Sequence, residues 1–398
     1  MANASGRPNK AGILSPVRAF WILEASGGGT GRHVLDLALG LAERGVEVHL
    51  AYSPLRMDAI FAQGLPLLES RGVRTWPIPL RRSPHPSDLG ALFRLLAYAR
   101  REGPFHLVHG HSSKGGALAR LLGRLLGIPA VYTPHGVVTL SPFLSPWERA
   151  IYGGAERLLA PLTALALAVS PWEGEALRTL GYRRVAVVEN GIALPPLTPE
   201  ERASARTALG ITGDTVAMGF VGRLDQQKDP LLALRAFAQL GLPQTRLLLV
   251  GSGPLDPACR EEVRALGLEG KVAFLGEREA REVLPALDLL LFTSAYEGLP
   301  YVLLEALALE VPVVAAPLPG LGDWLQEKGL AQVAPSREPA ALAKAMAGLL
   351  ENPALADALR QRGRAWVEGQ GLEGMVEKIL ALYQELVHPT KAGKSPWA

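Results

Sequence analysis

Short, nearly unbroken apolar runs alternate with amphipathic stretches along almost the whole chain, and this constrains the fold more than any other feature. The pattern predicts strands over 17–24, 46–52, 73–78, 105–109, 130–132, 164–169 and 185–189. Between them it predicts helices over 32–43, 89–101, 116–126 and 171–180. Strands that lack a polar alternate face belong in a parallel sheet covered on both sides, where helices carry the chain back between neighbouring strands. Such βαβ chains bind ligands beyond the carboxyl ends of their strands.

The rhythm stops once. IALPPLTP, at 192–199, carries three prolines and neither period, so it reads as a linker. Thr198, Pro199 and Glu201 then have the order of a helix start: cap, proline in first position, acid in the first turn. The alternation resumes with strands predicted over 216–221, 246–250, 271–275, 289–292, 311–315 and 331–333. Helices are expected over 230–240, 257–266, 339–350, 354–368 and 373–386. The reading is two doubly wound α/β domains facing a cleft, over 17–192 and 193–370. A final helix over 371–388 is expected to return to the first domain, with flexible ends at 1–16 and 389–398.

Composition removes several classes. One cysteine, Cys259, leaves no internal disulfide and no thiolate zinc cluster. Residues 1–10 lack the apolar core of a secretory signal. The longest apolar stretches, such as 158–169 with its Pro161, fall short of the roughly 20 residues that span a membrane. The expected location is the cytoplasm, or the periphery of the membrane's inner face. The net charge of +3 hides a division. Residues 1–192 hold 21 basic and 13 acidic side chains, and residues 193–398 hold 20 and 25. A basic half suits phosphates or an anionic membrane surface. No aromatic platform interleaves with it, so nucleic acid is not an expected partner.

Four stretches carry chemistry. In EGLPYVLLE (297–305), a strand end leads into a helix start. Gly298 permits close backbone approach, Pro300 suits a first turn, and the amides there suit phosphate or sugar oxygens. Glu297 and Glu305 are too far apart along the chain for a close carboxylate pair, but fit two places on one extended ligand. Alone they also fit solvated helix acids. In FVGRLDQQKDP (220–230), Gly222 allows a tight turn, and Arg223 with Lys228 supplies a fork and a point charge suited to a pyrophosphate. Ion pairs with Asp225 or Asp229 are the plainer alternative. The glycine cluster at 27–31, with Gly28 and Gly29, precedes a helix bearing His33, which is as well a packing histidine as a ligand group. FHLVHGHSSKGG and VYTPHG place His109, His111 and Lys114, then His135, beyond two strand ends. His109 and His111 have the look of a metal pair, but the sequence puts no third ligand beside them, so no metal is expected.

EGLPYVLLEALALEVPVVAA resembles the signature of the family-four glycosyltransferases of the GT-B fold, with seven residues between its two glutamates. The likeness runs over most of the chain, from about residue 19 to 386. It implies two Rossmann-like domains, an N-terminal one for the acceptor and a C-terminal one for a nucleotide sugar. It implies that Glu297 meets the donor sugar, Glu305 the ribose, and Arg223 and Lys228 the diphosphate. Gly28, Gly29, Gly222, Gly253, Glu277, Gly298, Leu299 and Pro300 would line the donor, and His135 would approach the reacting sugar. His33, His111 and Lys114 are candidate acceptor contacts, and Asn190 with Gly191 would shape the hinge.

The implied reaction is retaining transfer of a hexose or N-acetylhexosamine to a saccharide or lipid-linked acceptor, as in bacterial cell-surface polysaccharide or glycolipid assembly. A UDP-sugar is the first expectation and a GDP-sugar the second, with no metal or cofactor required. A nucleotide-sugar epimerase and a non-catalytic sugar-nucleotide binder are the rival readings. Two departures stand out. Glu310 occupies a place where the family often has glycine, and PLPGLGDWL (317–325) replaces a glycine-rich loop bordering the donor.

Overall fold

A computed structural model describes residues 16–389. The ends expected to be flexible lie, apart from Pro16 and Pro389, outside the described residues. The first half contains strands β1 (Arg18–Leu23), β2 (Glu47–Tyr52), β3 (Arg74–Pro77), β4 (Leu107–His111), β5 (Ala130–Thr133), β6 (Leu165–Ala168) and β7 (Val185–Val187). They pair in parallel in the order β3-β2-β1-β4-β5-β6-β7. The second half contains β8 (Val216–Val221), β9 (Thr245–Val250), β10 (Val272–Gly276), β11 (Leu289–Phe292), β12 (Val313–Ala315) and β13 (Gln332–Val333). Their order is β10-β9-β8-β11-β12-β13, also parallel.

The strand order reverses between β1 and β4 in one sheet and between β8 and β11 in the other. A reversal opens a crevice at the strands' carboxyl ends, because successive helices leave to opposite faces. The glycine cluster follows β1, the His111 segment ends β4, the Arg223 segment follows β8, and Glu297 follows β11. These motifs therefore converge on the two switch points, with the His135 turn one strand further along, after β5.

The strands are apolar on both faces because both faces are covered. Trp21 and Leu23 of β1 face one core with Val34, Leu37 and Leu41 of the helix Gly28–Glu43. Phe20 and Ile22 face the other, with Leu95 and Leu118. After β7 the chain crosses to a helix at Pro199–Ala208, whose Thr198 and Glu201 form a reciprocal cap. The last helix, Leu372–Val387, lies on the first half, where Met375, Val376, Ile379 and Tyr383 join its core. Gly40 makes room for it: a Cβ there would lie 2.6 Å from Val376 Cγ2.

Several expectations need correction. β4 runs two residues further than its apolar run, so His109 and His111 lie on the strand and not beyond it. The first helix begins at Gly28, inside the glycine cluster. Pro300 caps the helix Tyr301–Ala308 from an extended conformation and does not form its first turn. Helices at Ala59–Ser70 and Pro146–Leu159 were not anticipated. The first holds a proline, and the second turns its apolar residues outward, so neither shows the usual pattern. Glu310 takes the left-handed conformation, φ 55°, that glycine adopts at least cost.

Candidate functional site

The second half's share of the site is two loops stitched together. Gly222 leaves β8 at φ 157°, within the region glycine favours, and turns the chain toward Lys228. Lys228 Nζ donates to Glu297 Oε1 at 2.5 Å, joining the loop after β8 to the loop after β11. Gln227 Nε2 reinforces this by donating to the Tyr296 carbonyl at 3.1 Å. Thr293 Oγ1 lies 2.9 Å from the carbonyl oxygens of both Lys228 and Asp229. Arg337 holds the underside, donating to Asp229 Oδ2 and to the Thr293 and Ser294 carbonyls at 2.7–2.8 Å. Arg223 stays half-exposed, its Nε 3.6 Å from Asp225 Oδ2. Gly253 packs where a Cβ would meet Leu224 O at 2.3 Å, so the loop after β9 lies flat on the Arg223 turn. Glu277 accepts from Ser252 Oγ at the exposed edge of the same group. Glu305 is nearly buried, and burial raises its carboxyl above the usual range.

The first half presents a different surface. His33 (2% exposed), His111 and His135 gather with their candidate ligand nitrogens within 4.8 Å of one another. His111 Nδ1 and His135 Nε2 share a hydrogen bond of 3.1 Å. His33 Nδ1 lies 2.9 Å from Asn190 Oδ1, and Asn190 Nδ2 donates to Leu299 O at 2.7 Å. Burial lowers the imidazole of His33 to about 4 and those of His109, His111 and His135 well below their ordinary range, so all four rings are neutral. His109 is occupied at both nitrogens, by Tyr383 Oη at 2.5 Å and Thr133 Oγ1 at 2.8 Å. His109 therefore does not pair with His111 as their spacing suggested, and the rings that gather with His111 are those of His33 and His135.

His135 adopts φ 57° and Gly136 φ 109°. Glu173 holds this turn: its carboxylate accepts from Gly136 N at 2.5 Å and Val169 N at 2.7 Å. The sequence showed Glu173 only as the fourth residue of SPWE, a helix-cap pattern. Ser170 does cap the helix, but the glutamate reaches elsewhere. Arg337 carried no local signal at all.

The two surfaces touch. Trp172 Nε1 donates to Glu297 O at 2.9 Å, and Arg32 Nη1 stands 4.0 Å from Glu305 Oε1. A Cβ on Gly298 would lie 2.8 Å from Val169 Cγ2 and 3.4 Å from Gly136 N. Gly29 sits opposite Tyr301. Two expected contacts fall outside the group. Lys114 spends its ammonium on Asp88 and the Ser83 carbonyl at 2.7–2.8 Å, and Gly28 N donates to Asp58 Oδ2 at 2.6 Å. A lysine has three donors, so Lys114 has none left for an acceptor. Gly28 likewise has no amide to offer a phosphate.

Comparison with known proteins follows the same division. Residues 201–366 match the family described as glycosyl transferases group 1, and residues 27–194 match glycosyltransferase family 4. A D-inositol 3-phosphate glycosyltransferase of Rhodococcus erythropolis is 31% identical over 344 residues, 79% of this chain and 77% of that protein. Among solved structures, Anabaena Alr3699/HepE in complex with UDP and glucose superposes with a TM-score of 0.77 at 21% identity, covering 93% of this chain and all of the other. A putative UDP-N-acetylglucosamine 2-epimerase from Listeria monocytogenes shares the fold too, with a TM-score of 0.68 at 15% identity over 97% of this chain and all of its own.

Proposed function

Because the chain belongs to the family-four glycosyltransferases and has their GT-B fold, we propose that it transfers a hexose or N-acetylhexosamine from a nucleoside diphosphate sugar, with retention, to a saccharide or lipid-linked acceptor. The observation that carries this reading is the Lys228–Glu297 contact at 2.5 Å, made between the loops at the second sheet's switch point. A cation and a carboxylate so joined suit the two ends of one donor. Lys228 and Arg223 face the diphosphate, and Glu297 takes a sugar hydroxyl. Glu305 takes the ribose. Gly222, Gly253 and Glu277 border the nucleotide, and Gly298, Leu299 and Pro300 close over the sugar from the other side.

As the glycosidic bond breaks, its electron pair passes to the leaving phosphate oxygen. Arg223 and Lys228 stabilise that charge, so no metal is needed at this end. In this reading Glu297, held by Lys228, binds a sugar hydroxyl and is not the nucleophile. The leaving phosphate therefore takes the proton of the attacking hydroxyl, on the face it has just left, which retains configuration. His135, neutral and held by Glu173 through Gly136, approaches the sugar from the first half. A UDP-sugar is the leading donor, supported by the UDP complex of the fold neighbour. A thermal-shift screen of UDP-, GDP- and ADP-sugars tests this. A ligand at about 100 times its Kd stabilises the folded state by about 2.7 kcal/mol. No shift with any of them would sink the donor assignment.

The lipid-linked acceptor draws support from the helix Pro146–Leu159 and the turn before it. Phe143, Trp147, Ile151 and Leu158 stand 50–78% exposed, beside Arg149 and Arg157. Trp147, Ile151 and Leu158 repeat at helical spacing, so they share a face. Apolar residues flanked by arginines suit the interface of an anionic bilayer on the cytoplasmic side. No helix of the described residues is long and apolar enough to cross one. Arg120, one of the basic half's arginines, takes no part in such a surface, being buried against Glu156, Tyr132 and Tyr182. Co-sedimentation with anionic vesicles should be lost in Trp147→Ser/Ile151→Ser. Equal binding by the variant would refute the surface. The acceptor itself is decided by product analysis against sugar, lipid-linked and phosphorylated cyclitol substrates, the last prompted by the relatives' inositol phosphate.

A further inference from the structure

We propose that His33, His111 and His135 form a three-histidine site for a late first-row divalent metal ion of the zinc or nickel class. The site lies in the first half's face of the cleft, beside the Gly298–Leu299 segment of the other half. His111 Nδ1 and His135 Nε2 are 3.1 Å apart. Two imidazole nitrogens bound to one tetrahedral ion at 2.0–2.1 Å are about 3.3 Å apart, a spacing this pair nearly has. The three candidate nitrogens lie within 4.8 Å of one another, so binding requires the rings to draw together and turn toward a common centre.

His33 is oriented as a ligand. Asn190 Nδ2 donates to Leu299 O, which leaves Asn190 Oδ1 as an acceptor. The nitrogen facing it, His33 Nδ1, therefore carries the proton. Nε2 is left with its lone pair, buried and without a hydrogen-bond partner among the described residues. Donation from the second ring nitrogen to a protein oxygen is how metal-bound histidines are usually held. His111 Nε2 is also buried without a partner there. His109, though its ring centroid is 4.0 Å from that of His111, has both nitrogens engaged and is no ligand.

The donor set chooses the ion. Three imidazoles and no carboxylate favour zinc, nickel or copper over magnesium or calcium. Neutral rings are the form that binds metal, and burial keeps these rings neutral. On binding, the proton between His111 and His135 moves to the outer nitrogen of whichever ring held it. Three protein ligands leave a coordination position for water or a substrate oxygen.

The test uses full-length protein freed of metal by a chelator and titrated with Co²⁺ alone. Wild type is expected to bind it stoichiometrically, with the visible d–d bands of a nitrogen-ligated ion of low coordination number. His33→Gln and His111→Gln, each checked by circular dichroism, should lose the bands and at least about tenfold in affinity. His85→Gln, at an exposed histidine outside the cluster, should keep both. Absence of the bands in wild type overturns the site, as does binding that survives His33→Gln. If His111→Gln does not fold, His33→Gln decides alone. The readout involves no sugar nucleotide, so it stands or falls separately from the transfer reading.

Discussion

The two faces of the cleft occupy equivalent places in their sheets and have opposite electrostatics. The second half offers charge: Lys228 with Glu297, half-exposed Arg223, and Asp229 braced by Arg337. The first half offers four imidazoles that burial keeps neutral. The difference lies in where the side chains start. Lys228 and Arg223 stand on a loop beyond the strand end, where water still reaches them. His109 and His111 are part of β4, and His33 lies in the second turn of a covered helix. The contrast also relocates the net charge. The first half is the basic one, yet its exposed arginines, such as Arg94, Arg124, Arg149 and Arg157, lie on outer helices, while at the cleft its histidine cluster is neutral and Arg32 stands against Glu305. A charged face suits a group that gains charge as it leaves, and a neutral one suits sugar hydroxyls.

The largest expected effect breaks the charged face. Lys228→Ala and Glu297→Ala should each lower kcat by about 10³-fold, the scale of losing one charge-stabilising contact in a closed site. Folding should change little, by about 1 kcal/mol, because the pair is still partly solvated. Near-normal turnover in either variant would dissolve the distinction between the faces. On the neutral side, His135→Ala should cost less, about 10²-fold. Equal losses in kcat for His135→Ala and Lys228→Ala would mean that the imidazole does more than contact the sugar.

The charged face was the more legible in sequence, and the reason is locality. Glu297 to Glu305 and Gly222 to Lys228 are contiguous strand–loop–helix segments, so spacing alone fixes their order. The neutral face is assembled from His33, His111, His135 and Asn190, which no short motif links. Alternation along β4 does put His109 and His111 on one side, but not which of them keeps a nitrogen available. That depends on Tyr383, 274 positions away. The sheets were legible because covered strands are apolar throughout. The helix Pro146–Leu159 was not, because it departs from the inward apolar stripe that defines a helix in sequence.

Contact between the faces gives the next effect. A methyl group at Gly298 would press on Val169 Cγ2 at 2.8 Å, so Gly298→Ala should hold the halves apart. We expect about a tenfold fall in kcat/KM, on the order of 1.4 kcal/mol in transition-state binding. Val169→Ala in the same chain removes the obstructing carbons and should restore much of the loss, a coupling of the kind neighbouring sites show. If the double variant is no better than Gly298→Ala, the glycine serves its own loop and not closure.

The smallest effect on activity, and the sharpest on stability, belongs to Glu173. Burial pushes its carboxyl up to about 7, against the hydrogen bonds from Val169 N and Gly136 N that favour the charged form. The folded state therefore binds the proton more tightly than the unfolded chain does. Its stabilising contribution is complete below the unfolded value of about 4.5 and declines as pH rises through about 7. Glu173→Gln cannot titrate, and its amide group meets a backbone N–H where an oxygen stood, which costs about 1–3 kcal/mol. The stability advantage of wild type over the variant should shrink from about pH 5 to pH 8, by on the order of 3 kcal/mol, in denaturant unfolding at the two pH values. A pH-independent difference would show that the carboxylate stays ionised. The turn bearing His135 would then be held by a buried charge, and the first face would not be neutral.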